Sequence, residues 1–449
     1  MMLLKCPALF YSLVLVIGFG LRYTYLALLL LPLLRYGNMK TVLIVGLFLA
    51  VGYIRSAPPT PPTSGEIAGI FYPSQVVHHH QKKCVKGILH ANGNSFPVIA
   101  TGIGHLSTLP YSVAVDGMIR SEKHSTFLSV DTTGKKSRFP SLAGLRYRTA
   151  TRFFRYLERH IPDPATLRFS FAILTGERTD PLLDTLFRKV GLSHILAISG
   201  LHFAVAIGLL YLLLSKFVPR ISLVVLTLIF SFLYLLLIGD MPSVRRAFIF
   251  STIYIVSFLV YKKAHPLNTL GAALSIEFVL FPGTILSVGF WLSYLATFAI
   301  LILFPLFMKL AARLTRIDIP RLSTVQKAGW AVYTFFLQSA LLTSAVLILI
   351  VPLTLHIFGE FPLLSFPYNI FLTPFFPPLF GLLLLSLAFP FLWPVYNALA
   401  HLLLIPIFYP PKLLGKVAIA PLLPIEFIYI YISLAIITSI YFFERMERI

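Results

Sequence analysis

Gly191-Leu-Ser-His-Ile-Leu-Ala-Ile-Ser-Gly-Leu-His-Phe203 opens the apolar half of the chain and sets His194, Ser199, Gly200 and His202 in or beside an apolar helix. The residues C-terminal to it decide the setting. Candidate apolar spans run over about 193–214, 221–238, 243–261, 266–281, 285–308 and 328–351. These lengths suit membrane helices of roughly 17–25 residues, with 266–281 on the short side. After Pro352 the chain carries Pro362, Pro367, Pro374, Pro377, Pro378, Pro390 and Pro394, which predicts broken or re-entrant helices. Non-helical backbone is tolerated at membrane depth only where protein or a wet cavity satisfies it. A last span is expected over 425–443.

Composition agrees. Of 449 residues, 57% are hydrophobic and 12% charged, with a mean hydropathy of +0.86. Soluble domains run at roughly 45–50% apolar and about 25% charged. So much apolar surface needs a bilayer to face, and the reading is a polytopic α-helical membrane protein. The formal net charge is +21, and its largest excess falls in residues 55–190, with 18 Lys/Arg against nine Asp/Glu. A basic excess suits anionic lipid, nucleic acid or both. Cys6 and Cys84 lie in different regions and are not expected to pair, and no Cys/His cluster points to a metal. No small-residue cleavage pattern marks a signal peptide.

The chain divides into four regions. Residues 1–54 read as short transmembrane passes interrupted at Arg22 and between Arg35 and Lys40. The run Ser56-Ala-Pro-Pro-Thr-Pro-Pro-Thr63 cannot continue a helix. Residues 55–140, this linker included, hold alternating stretches such as Phe96-Pro-Val-Ile-Ala-Thr101 and Tyr111-Ser-Val-Ala-Val115, the signature of a small β domain. A five-stranded barrel fits the length, although the pattern alone does not select one. Residues 141–190 form a basic amphipathic helical connector, and 191–449 the main transmembrane domain. The basic loops at Lys216/Arg220, Lys262/Lys263 and Lys309–Lys327 alternate with weakly charged turns at Gly239-Asp240 and Pro282-Gly283. The positive-inside rule puts the basic loops in the cytoplasm and residues 55–190 on the extracytoplasmic side of the cytoplasmic membrane.

Polar residues inside membrane spans are costly and face cavities or neighbouring helices. For His194, Ser199 and His202 two readings stand level. They line a pore, or they serve packing, with Ser199 bonding a backbone carbonyl and Gly200 allowing close approach. Arg245 and Arg246, at a helix end with Asp240 and Ser243, could hold phosphate oxygens bidentately or could anchor the helix through Asp240. Asn268, Glu277, Ser293, Gln338, His356, Glu360, Asn369 and His401 add polarity in apolar surroundings. Arg148, Arg152, Arg155 and Arg159 recur at spacings of 4, 3 and 4, which puts them on one helix face. That face could meet lipid phosphates, then in order of preference nucleic-acid phosphates, or be a solvated surface balanced by Glu158. Ala197-Ile-Ser-Gly200 lacks the glycine a GxSG protease carries, and no GxxxxGK[ST] loop appears, so no ATPase or other enzyme activity is expected. No cofactor is expected either.

These polar segments together resemble the ComEC family of competence proteins, the inner-membrane channels of natural transformation. Gly191–His202 resembles the family's most recognisable stretch, and Pro242-Ser-Val-Arg-Arg-Ala247 its PSVxRA element. Pro266-Leu-Asn268, Gly289-Phe-Trp-Leu-Ser-Tyr-Leu-Ala296 and Phe358-Gly-Glu-Phe with Ser365, Asn369 and Pro374 come next in order. Thr175-Gly-Glu-Arg178 resembles the lead-in. The likeness covers roughly residues 170–380. The chain departs from it at His265, where Asp is usual, and at Trp291, where Gln is usual.

The resemblance implies that the β domain is an extracytoplasmic OB-fold, with Tyr72, Phe96, Tyr111 and Phe127 as possible stacking platforms. It implies a channel for single-stranded DNA, lined by His194, Ser199, His202, Arg246, Asn268, Ser293 and Asn369. The Arg148/Arg152/Arg155/Arg159 stripe would bind DNA or lipid phosphates. Many members carry a C-terminal metallo-β-lactamase-like domain, and this chain is expected to lack it. The implied partners are single-stranded DNA, anionic membrane lipid and separate DNA receptor, nuclease and motor or strand-binding proteins. A transporter for another polyanion or small solute, and an intramembrane hydrolase using Ser199 and a histidine, are the alternatives.

Overall fold

The computed structural model describes residues 65–79, 82–91, 94–101, 113–122, 125–136, 142–177, 180–238, 242–259, 264–281, 287–314, 323–409 and 416–418, with short helical pieces within 431–438. The short N-terminal passes, Asp240, Tyr111 and most of the 425–443 span lie outside the described residues.

Five strands come first: β1 (Gly65–His79), β2 (Lys82–Ala91), β3 (Asn94–Thr101), β4 (Val113–Glu122) and β5 (Ser125–Lys136). They close in the order β1-β2-β3-β5-β4. Every pairing is antiparallel except β3 with β5, where Ile99 stands opposite Phe127.

Helix α1 (Leu142–His160) carries the arginine stripe; Arg148, Arg152, Arg155 and Arg159 are exposed while Leu157 is buried. Helix α2 (Pro164–Thr175) is started by Asp163, whose carboxylate accepts from the Thr166 amide at 2.9 Å, with Pro164 in the first turn. Gly176 ends it at φ 77°, a left-handed turn that glycine adopts without a Cβ clash. Phe169, Phe171, Ala172, Ile173 and Leu174 of α2 are all buried, so this helix sits inside the helical body. Helix α3 (Pro181–Lys189) repeats the device: Asp180 accepts from the Leu182 amide at 2.9 Å and pairs with Arg168 at 2.8 Å.

The helical body continues through α4 (Ser193–Leu196), α5 (Gly200–Leu214), α6 (Arg220–Ile238), α7 (Pro242–Leu259), α8 (Pro266–Leu280), α9 (Val288–Phe298), a π-helical turn (Ala299–Leu303), α10 (Phe304–Leu314) and α11 (Thr324–Phe358). After a short strand β6 (Glu360–Pro362) come α12 (Ser365–Phe371), α13 (Phe376–Ala388) and α14 (Trp393–Phe408), separated by single 3-10 turns at Thr373–Phe375 and Pro390–Leu392. A strand β7 (Lys416–Ala418) pairs with β6.

The expected single span over 193–214 is interrupted. α4 ends at Leu196, Ala197–Ser199 is extended or loop backbone, and Ser199 starts α5 as a new helix. Other spans are longer than hydropathy marks them: Val288–Arg313 and Thr324–Phe358 run unbroken, the latter through Pro352. At 35 residues α11 is about 52 Å long, well beyond the roughly 30 Å of a hydrocarbon core. Its start is fixed by a Ser323/Gln326 capping box and its end by Gly359 at φ 70°. Among the described residues five helices are long and apolar enough to cross a membrane: Arg220–Ile238, Val288–Arg313, Thr324–Phe358, Ser365–Ala388 and Pro390–Phe408. Gly200–Leu214 and Pro266–Leu280 are apolar but shorter. The chain is therefore a polytopic helical membrane protein.

Two packed cores hold the body together. The larger joins α1–α7 to α12–α14 around Phe187, Phe203, Phe380 and Tyr396, all fully buried. The smaller joins α8–α11 around Phe278, Phe290, Ile302 and Leu349. Polar contacts tie the first core across long stretches of chain. The Ser170 and Tyr396 hydroxyls lie 2.6 Å apart, the Asn397 amide donates to the His160 carbonyl at 2.9 Å, and the His160 ring stacks on Trp393.

Candidate functional site

The interruption before α5 is the local feature on which the site is built. Ser199 has extended backbone (φ −112°, ψ 171°), and its hydroxyl accepts from the Leu201 amide at 3.3 Å. Three residues on, His202 reaches back: its Nδ1 lies 3.3 Å from the Ser199 amide and 3.0 Å from the Ser199 hydroxyl. An amide N–H can only donate, so Nδ1 must be an unprotonated acceptor and the ring proton sits on Nε2. His202 thus caps its own helix and keeps one N–H to offer elsewhere. Ser199 bonds an amide and not, as the packing reading had it, a carbonyl.

The segment is also held from outside. The Ser243 hydroxyl at the head of α7 donates to the Ile198 carbonyl at 2.9 Å, satisfying a backbone group that the broken helix leaves open. Gly191 adopts φ +73°, and the space where its Cβ would stand is already filled by Ser365 of α12. Only glycine meets both demands.

Beside this segment lies a cavity lined by His194, Ile195, Ser199, Leu201, His202, Val205, Thr373, Phe376, Pro377 and Phe380, with about 40 Å³ of internal room. That is space for a few water molecules at most. His194 is exposed, whereas His202 is buried with its ring edge-on to Phe380 at 4.8 Å. On the far wall Thr373 ends a ladder in which Ser365, Asn369 and Thr373 recur every fourth residue. Asn369 donates to the Ser365 carbonyl at 2.7 Å and to its hydroxyl at 3.1 Å, and the Thr373 hydroxyl donates to the Asn369 side-chain oxygen at 3.0 Å. The Ser339 hydroxyl of α11 holds the same element through the Ile370 carbonyl at 2.9 Å.

A second polar group sits behind α5. Arg246 is buried, donates to the Ser293 hydroxyl and lies over the Tyr294 ring at 5.4 Å. Its guanidinium comes within 3.6 Å of the Cβ position of Gly200, the first residue of α5. The Tyr294 hydroxyl donates to Glu277 at 2.9 Å, and Glu277 forms an ion pair with Arg245 at 3.7 Å.

The sequence-predicted residues therefore fall into three places. His194, Ser199 and His202 share one cavity, and Asn369 reaches it through Thr373. Arg246 and Ser293 bond each other behind α5. Asn268 is half-buried in the first turn of α8, away from the cavity lining, and the four arginines of α1 are exposed on another element. Thr373, Phe376 and Phe380 were not singled out in the sequence; Thr373 could have been, from its place four residues after Asn369.

An interrupted membrane helix, a capped polar break and a proline-rich partner wall define a class: multi-pass membrane proteins with a polar site built from discontinuous helices. The chain belongs to the competence protein family, whose profile matches residues 173–444. It is 27% identical over 230 residues to ComE operon protein 3 of Bacillus subtilis strain 168, covering 49% of this chain and 27% of that protein. It is 29% identical over 190 residues to a protein of Aquifex aeolicus strain VF5 named only as uncharacterized, covering 41% of this chain and 44% of that one. The matches thus span less than half the length of either relative. No solved structure matches the chain.

Proposed function

We propose that this protein passes single-stranded DNA across the cytoplasmic membrane during natural transformation. The observation that carries the reading is the break before α5, where a capped helix end and two histidines share one cavity with Thr373, the last member of the Ser365–Asn369–Thr373 ladder. Family membership and the relative named for the ComE operon supply the competence context. In this reading the five-stranded closed barrel is an OB-fold on the extracytoplasmic side, and parallel pairing of β3 with β5 fits it. The exposed arginines of α1 gather DNA through phosphate contacts. The strand then passes the α5–α13 cavity, widened from its present size by movement of the walls, and the site's few charges keep the phosphates from being trapped. Hydrolysis of the second strand and the driving force come from partners.

A cysteine at Thr373 tests the path. In cells taking up DNA, a thiol reagent too polar to cross lipid modifies Thr373→Cys and stops internalisation, and a translocating strand shields it. Modification that leaves uptake intact removes the cavity from the path and favours transport of another solute elsewhere.

The hydrolase reading has one observation in its favour, the 3.0 Å Ser199–His202 contact. The same Nδ1 also accepts the Ser199 amide, which makes it a helix cap first. Labelling by a serine-directed probe, lost in Ser199→Ala, would reinstate hydrolysis.

A further inference from the structure

We infer that Glu277 is a positioning residue, which fixes Arg246 against the head of α5 without itself touching the cavity. The inference rests on the DNA-channel reading and extends it to a residue in the second core.

Glu277 lies on α8 and is completely buried, in a helix whose neighbouring contacts are apolar. An intramembrane carboxylate is costly, and replacing such ion pairs by apolar residues is often neutral or stabilising. Stability alone therefore does not account for a carboxylate at this site. Its two oxygens are used differently. Oε2 accepts from the Tyr294 hydroxyl at 2.9 Å, a bond of normal length to a buried phenol. Oε1 stands 3.7 Å from Arg245 Nε, close enough for ionic attraction and too far for a hydrogen bond. The Arg245 guanidinium also lies over the Phe281 ring, 4.2 Å from its centroid.

The Tyr294 bond is the one that carries forward. With its hydroxyl pinned to Glu277, the Tyr294 ring has a fixed tilt, and Arg246 lies over that ring. Ser293, the residue before Tyr294, accepts a bond from Arg246 as well. The guanidinium is thus set on two consecutive residues of α9, and one of its nitrogens stands 3.6 Å from where a Cβ on Gly200 would be. Gly200 is the residue between Ser199, which caps α5, and the His202 turn that lines the cavity. The chain of contacts runs Glu277, Tyr294, Arg246, Gly200. It crosses from the α8–α11 core to the α1–α7 core and ends at the polar break. The negative charge of Glu277 also holds Arg245 and Arg246 on adjacent positions of α7, where two guanidinium groups would otherwise repel.

The test compares four full-length variants in cells, each scored for membrane level, for melting of the detergent-purified protein and for DNA internalised per molecule. Arg246→Gln is the reference for loss of the positioned group. Glu277→Gln removes the carboxylate charge beside Arg245 and is expected to lower the level and melting temperature. Glu277→Gln with Arg245→Gln removes the buried pair together and is expected to restore both. If Glu277 positions Arg246, internalisation per molecule in that double variant stays down on the order of tenfold, within the coupling range of residues in one hydrogen-bond network. Tyr294→Phe is expected to show the same loss at normal level. Full internalisation by the double variant would make Glu277 a counter-ion for Arg245 only and would overturn the inference, while a defect in Arg246→Gln alone would leave the channel reading standing. Normal internalisation by Arg246→Gln would count against both, since there would be no functional group to position.

Discussion

Gly191 and Ser365 stand so close that a Cβ on the glycine would lie 2.4 Å from the serine Cβ and 2.8 Å from its Cα. They are far apart in sequence, yet this contact sets the head of the α4–α5 segment against the proline-rich α12–α13 wall. With φ at +73°, Gly191 is bound by conformation as well as by space.

Gly191→Ala is therefore expected to destabilise the protein by about 2–4 kcal/mol, combining the left-handed penalty with overpacking. Gly208→Ala, in the middle of α5 with nothing within 4 Å, is expected to be neutral or slightly stabilising. Melting of the two purified variants in detergent compares them directly. Equal melting temperatures would mean that the α12 contact yields easily.

His202 does two things, and two substitutions separate them. Glutamine at the third helical position also completes a capping box, so His202→Gln should keep the membrane level, whereas His202→Ala loses a cap worth about 1 kcal/mol. Both are expected to block DNA entry because both remove the ring that lines the cavity. Entry restored by glutamine alone would reduce His202 to a helix cap.

The arginines of α1 are expected to act through phosphate charge. Replacing Arg148, Arg152, Arg155 and Arg159 with glutamine should weaken single-strand binding by the purified chain. It should also flatten the slope of log affinity against log salt by about 3, at roughly 0.7 per lost contact. Unchanged DNA binding, with loss of binding to anionic vesicles instead, would assign the stripe to lipid.

Acid should loosen the α1–α3 region. Burial raises the Asp163 carboxyl, but the Thr166 hydroxyl, the Thr166 and Ala165 amides and His401 outweigh it, and the net shift is downward from 3.8. Asp180 is likewise raised by burial and lowered further by Arg168 and the Leu182 and Leu183 amides. A carboxylate with a lowered folded value contributes stability above its unfolded value and loses it as pH falls below about 4. Glu177, raised by burial, works in the opposite sense. Melting followed from pH 6 downward should show wild type falling more steeply below about pH 4 than Asp163→Asn with Asp180→Asn. Parallel curves would mean that these caps do not respond to acid.

Much of this architecture was legible in the sequence because a bilayer simplifies the rules. Apolar length marks the spans, and polar residues such as His194, Ser199 and His202 stand out against them. The break between Leu196 and Ser199 was not legible, since Ala197 and Ile198 are as apolar as any helical residue, and only the reciprocal Ser199–His202 bonds show that a helix restarts. Helix α2 was hidden for a different reason. Its twelve residues are too few to mark a span, and its basic neighbours pull the region toward the surface, while Phe169 and Tyr396 draw it into the core. Glu277 was visible only as one polar residue among several, because its meaning depends on Tyr294 and Arg246, which lie on other helices.

The most direct test of the central claim is import of labelled external DNA by a strain lacking this protein, with surface-bound DNA scored separately. DNA is expected still to accumulate at the surface while none reaches the cytoplasm, and the wild-type chain is expected to restore entry. Unchanged entry in the deletion strain would contradict a role as the DNA channel and point to transport of another solute.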